Sequence, residues 1–166
     1  MWKYTVINFL IGAAIALILS TLLVLGLRIF VGPIPVAPPS PDYSSCATGD
    51  QACLDRQLRE YREADDAYLE KRNIYGGKAF IAANAAGIAL LLFGIGCFWL
   101  GLGTNIGAGL ITSGIFGILY GYIQGWGGTD DVIKFGVGAL AALIVIGGGI
   151  FLNRLRVKGN ANFIRR

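Results

Sequence analysis

Residues 101–128 are rich in glycine and carry no charged side chain, and this stretch restricts the chain more than any other. Five small residues, Gly109, Ser113, Gly117, Gly121 and Gly125, follow one another at strict four-residue spacing. On a helix they stack into one near-continuous groove. Such a helix is poor in water, because each glycine costs ~1 kcal/mol against alanine. In lipid the same glycines let a second helix approach closely, the small-xxx-small packing signal. The stretch reads as the third span of a polytopic membrane protein.

Composition agrees. Only 14% of residues are charged, against about a quarter in soluble domains. The net charge of +4 is carried beside membrane spans, where it orients the chain. The expected partner is therefore a lipid bilayer and not nucleic acid. Histidine is absent, which removes the commonest general base and metal ligand. Ser–His, Cys–His and H-E-x-x-H sites are excluded with it. Gly101, Gly103 and Gly107 lack the G-x-G-x-x-G spacing. No ionisable residue lies near the centre of a span, so the usual mark of ion-coupled transport is missing. No enzyme activity, metal or cofactor is expected.

Residues 4–31 form the first apolar run, long enough to cross a ~30 Å core. A signal peptide has a shorter apolar region and a small-residue cleavage site, so a retained signal-anchor is expected. Gly12, Ala16 and Ser20 offer it a helix-contact face. All five prolines fall in the linker at 32–45. They forbid helix and favour an extended spacer that lifts the next segment off the membrane.

Cys46 and Cys53 flank a short turn, with Thr48 and Gln51 in the form of a capping box. Two thiols without neighbouring ligands do not make a metal site, and the spacing is not that of a C-x-x-C redox pair. A structural disulfide is expected, which requires an oxidising compartment. The region 46–75 then reads as a disulfide-pinned helix. Leu54, Leu58, Tyr61, Tyr68 and Tyr75 fall three, four or seven apart on one side. Opposite charges four apart, such as Asp55–Arg59 and Arg59–Glu63, mark the solvated side. The tyrosine stripe must cover the membrane bundle, a second copy or a partner. Gly76–Gly77 offers a hinge before the second span, 79–102. Inside that span Asn84 is expected to bond a neighbouring helix, and Cys97 to act as a small buried hydrophobe.

A turn at Gly103, Thr104 and Asn105 makes spans two and three (106–124) an antiparallel hairpin. Thr129, Asp130 and Asp131 cap and begin the fourth span, 132–152. A basic tail, 153–166, completes the chain. The expected fold class is all-α: a polytopic membrane four-helix bundle with one extracytoplasmic amphipathic helix between spans one and two. Lys3 and the tail bases lie on one side and every acidic residue on the other, so both termini are expected to be cytoplasmic, with 32–78 extracytoplasmic. Lys71, Arg72, Lys78 and Lys134 run against this count, because they flank spans on the outer side.

The tyrosine- and charge-rich segment from Cys53 to Tyr75 resembles that of a group of uncharacterised small four-span bacterial membrane proteins. So do Gly107-Ala108-Gly109-Leu110, Leu119-Tyr120-Gly121-Tyr122, Trp126, Asp130-Asp131 and Lys134-Phe135. The likeness covers about residues 43–152. It implies a bacterial envelope setting and the four-span plan, but no activity and no functional residues. The sequence supports two functional readings. One is a structural or accessory protein whose outward arm contacts an envelope partner or a second copy. The other is a small channel or transporter subunit, its third span lining a path for a neutral solute or ion.

Overall fold

The structure is a computed structural model and describes residues 2–46, 50–102 and 104–164. The described chain is all-helical: α1 (Trp2–Phe30), a short 3-10 turn (Tyr43–Ser45), α2 (Gln51–Trp99), α3 (Thr104–Gly125) and α4 (Asp131–Ile164). Four helices are long and apolar enough to cross a membrane. Their outer faces agree: Phe9, Leu17, Ile123, Phe135 and Leu143 are each at least 69% exposed. Apolar surface on that scale needs a non-aqueous cover, and the chain is that of a membrane protein.

The helix boundaries have local causes. Gly32, with φ 104°, turns the chain as it leaves α1. Asp50 caps α2, its carboxylate accepting from the Cys53 N–H at 3.0 Å. The expected capping box at Thr48 and Gln51 has its first residue outside the described residues, and Gln51 is instead the first helical residue. α2 stops in a Schellman turn, with Leu102 N–H on Cys97 O and Gly101 N–H on Phe98 O. The φ of 68° at Gly101 is the left-handed conformation that this turn requires. α3 therefore begins earlier than expected, at Thr104, and the turn sits on Gly101 (Gly103 lies outside the described residues). Asp130 caps α4 by accepting from Val132 N–H at 2.8 Å. α4 does not stop near residue 152 but runs on through the expected tail to Ile164.

The hinge expected at Gly76–Gly77 is absent from the described α2, a single helix of 49 residues, about 74 Å long. The two glycines serve close approach instead. A Cβ on Gly76 would lie 3.1 Å from Gln124 O, and one on Gly77 2.9 Å from Gly128 O. The turn between α3 and α4 presses its backbone against α2 there, and side chains would hold it off.

α2 and α3 form the main contact of the fold, with α1 laid on α3. Phe80 and Leu91, both on α2, are the largest fully buried apolar side chains. α4 is held more lightly. Tyr122 donates its hydroxyl to Lys134 O and sits against Gly138, and Ile95 sits against Gly148.

Candidate functional site

Two features stand out from the residues upward: a glycine seam between helices and a pinned stalk above it. The seam runs antiparallel along α2 and α3. A Cβ on Gly114 would lie 2.6 Å from Gly87 O, and one on Gly87 2.7 Å from Gly114 O. One on Gly94 would lie 2.9 Å from Gly107 O, and one on Gly107 3.0 Å from Gly94 O. Gly125 faces Phe80 and Gly76, and Gly128 faces Asn73. All these pairs share one register, so backbone approaches backbone at each of them, with Ile111, Ile118, Leu91 and Phe98 packed over the glycines.

The five-residue groove does not face a single neighbour. Gly109 meets Ile15 and Gly12 O of α1. Ser113 donates its hydroxyl to Ala16 O of α1 and to Gly109 O, both at 3.0 Å. Gly117 lies between Leu23 of α1 and Gly87 of α2, while Gly121 and Gly125 face only α2. The reason is helical arithmetic. A four-residue step advances 40° beyond a full turn, so the stripe rotates about 160° from Gly109 to Gly125. It leaves α1 and arrives at α2. The residues that stay on α2 recur every seven, at Gly107, Gly114, Gly121 and Gly128, opposite Gly87 and Gly94. That second row, legible as glycine at heptad spacing, escapes a four-residue reading.

Asn84 sits inside the seam and is 2% exposed. It does not reach across to a neighbouring helix as expected. Its Nδ2 donates to Phe80 O of its own helix at 2.8 Å, and its Oδ1 has no partner among the described residues. Gly121 is what leaves room for it: a Cβ there would lie 2.5 Å from the Asn84 amide nitrogen. Cys97 is also not the buried hydrophobe expected; it is a free, half-exposed thiol. Ser113→Ala is expected to destabilise the α1–α3 contact by about 0.5–1 kcal/mol. The check is unfolding in detergent, with Thr112→Ala as control, since Thr112 bonds only Ala108 O of its own helix.

The stalk is the part of α2 ahead of residue 79, together with the linker that runs beside it. Cys46 and Cys53 are joined at its tip with Cα atoms 5.8 Å apart. Gln57 Nε2 donates to Ser45 Oγ at 2.6 Å. Pro38, Pro39 and Pro41 line one groove with Glu60, Tyr61 and Ala64. The linker therefore lies against the helix over its length while it lifts the tip away from the membrane-spanning part. The lengths permit this: the extended linker reaches about 43 Å at ~3.1 Å per residue, and the helical arm about 42 Å.

This contact changes the stripe. Tyr61 shares its groove with the prolines, and Leu54, Leu58 and Tyr68 are half-buried. Tyr75 is 8% exposed, where α2 enters the helix cluster. The expected partner face is thus occupied in good part by the chain itself. The uncovered side carries Arg56, Arg59, Glu63, Asp66 and Glu70, all exposed.

At the head of the stalk, the Ser44 hydroxyl and then its N–H donate to Asp42 Oδ1 and hold that carboxyl below 3.8. A carboxyl lowered on folding supports the turn above pH ~3.8 and loses that support as pH falls through its folded value. The protection of the Ser44 amide, measured against its intrinsic exchange rate at each pH, is expected to fall below pH ~3.8 in the wild type. In Asp42→Asn it should show no such step.

At the head of α4, Lys134 pairs with Asp131 at 2.8 Å and lies 5.1 Å from the Trp126 ring centre. Among the described residues no group of three or more His, Cys, Asp or Glu could hold a metal ion. No family model, no curated protein and no solved structure matches the chain.

Proposed function

We propose that the chain is a structural or accessory protein of a bacterial cytoplasmic membrane. A four-helix bundle embeds it, and its stalk presents a charged helical face to a protein partner on the outer side. The observation that carries this reading is the unbroken α2, which joins the tip of the stalk to the glycine seam in one helix. The linker and disulfide that brace the stalk are the kind of feature a presented surface needs, because a pre-ordered face loses less entropy on binding. The acidic residues and the disulfide favour an outer stalk with cytoplasmic termini. The uncovered Arg56, Arg59, Glu63, Asp66 and Glu70 then form the contact side, while Tyr61 and Tyr68 brace it.

The channel reading gains less. Gly117 and Gly121, which would line the path, are buried against Leu23, Gly87 and Asn84. The test is a photo-crosslinking amino acid placed singly at Glu63, Glu70 and Gln57 in cells. Glu63 and Glu70 are expected to give adducts with one identifiable envelope protein, or with a second copy, and Gln57 none. Labelling that puts residue 63 on the same side of the membrane as the N-terminus, or an adduct pattern no different at Gln57, overturns it.

A further inference from the structure

The bases that run against the orientation rule have unequal fates. Lys134 is paired with Asp131. Lys71 and Lys78 make no ion pair among the described residues and are exposed. On α2 they are seven apart and continue at helical spacing into Ala82, Ala86, Ala89 and Phe93, so all six lie on one face of the helix. Below Lys78 that face becomes the wall of an open apolar cleft of about 520 Å³, whose other wall is α1 with Gly26 and Phe30. A Cβ on Gly26 would meet no atom within 4 Å. The cleft is therefore open at Gly26 and not closed by packing.

We infer that this cleft holds a phospholipid of the stalk-side leaflet, its acyl chain between α1 and α2 and its phosphate at Lys78 and Lys71. The dimensions agree. From Ala82 to Phe93 the wall is about 16 Å long, close to half of the ~30 Å hydrocarbon core and so to one leaflet. The chemistry agrees as well. The lining is wholly apolar, with Gly26, Ala82, Ala86 and Ala89 leaving room between leucines and phenylalanines for a flexible chain. The open end carries two ammonium groups, each strongly attracted to anionic headgroups near a membrane surface.

This inference rests on the membrane-spanning part of the proposed function and not on the stalk's partner or on which side faces outward. The full chain is to be reconstituted in bilayer nanodiscs with phosphatidylglycerol or phosphatidylcholine spin-labelled on the acyl chain. A motionally restricted component is expected, with phosphatidylglycerol favoured. Lys78→Gln should lower that preference about fivefold, Lys71→Gln less, and soluble glycerol phosphate should not displace the lipid. Gly26→Leu, in open space, should lower the number of restricted phosphatidylglycerols by about one per chain while leaving the seam's unfolding unchanged.

Equal restriction of both lipids, or no change in Lys78→Gln, overturns the headgroup assignment. An unchanged number of restricted phosphatidylglycerols in Gly26→Leu overturns the cleft. A cysteine at Ala86 that crosslinks to a second copy shows the occupant to be protein and overturns the lipid. Crosslinking from Glu63 reports the stalk's partner separately, so a failure of either reading remains distinguishable.

Discussion

Gly114→Ala is expected to destabilise the helix hairpin by about 2–3 kcal/mol. The added carbon would meet Gly87 O at 2.6 Å, the Leu91 side chain at 2.8 Å and Leu91 N at 2.9 Å. Two of these three atoms belong to backbone, so no rotamer change relieves the clash and α2 and α3 must move apart. Overpacking of a tight core costs 1–3 kcal/mol, and here it adds to lost contact along a shared register. The internal control is Gly136→Ala. Gly136 has nothing within 4 Å of its Cβ position, so the substitution should be neutral or stabilising by up to ~1 kcal/mol through helix propensity. Unfolding of both variants in the same detergent, followed by helical content, decides it. Equal stability of the two would mean that the seam is not as close as described.

Cys53→Ser is expected to release the linker while leaving α2 folded. Closing a loop this short contributes about 2–3 kcal/mol through the entropy of the unlinked chain. Without the bridge the linker retains the Ser45–Gln57 hydrogen bond and the shallow proline groove. An exposed bond of that type contributes about 1 kcal/mol, too little to hold a flexible segment in place. The Asp50 cap on Cys53 N–H is independent of the sulfur and persists. Limited proteolysis should therefore cut within residues 33–45 of the variant, or of the reduced wild type, much faster than in the oxidised protein. Circular dichroism should show unchanged helix. A melted arm instead would show that the disulfide holds the helix itself.

How much of the fold is legible in the sequence depends on which patterns are local. Glycines four apart are a local pattern and point to close helix contact. The same spacing hides the fact that Gly109 and Gly125 face different neighbours, because a drift of 40° per step is invisible until helices are set side by side. The heptad glycines Gly107 and Gly114 are in plain view, but they matter only because Gly87 and Gly94 lie opposite, a pairing across the turn at Gly101. Gly76–Gly77 misleads for the same reason. A glycine pair looks like weakness in one helix and like clearance once a second backbone lies on it. The contact of the proline linker with Tyr61 is legible only in part. The disulfide ties its far end to α2 and a stiff segment reads as a spacer, but that the spacer lies against the helix shows only when its length is compared with the arm beside it.

An unbroken α2 also has a mechanical side. A joint at Gly76 would have let the stalk swing freely while the membrane part stood still. Without one, torque applied at the tip passes down the rod and arrives where α2 and α3 touch backbone to backbone. Ile111 and Ile118 of α3 and Leu91 and Phe98 of α2 sit over the facing glycines there, so the surfaces resist both rotation and separation. A partner that twists the stalk would therefore load α2 and α3 together instead of sliding one over the other.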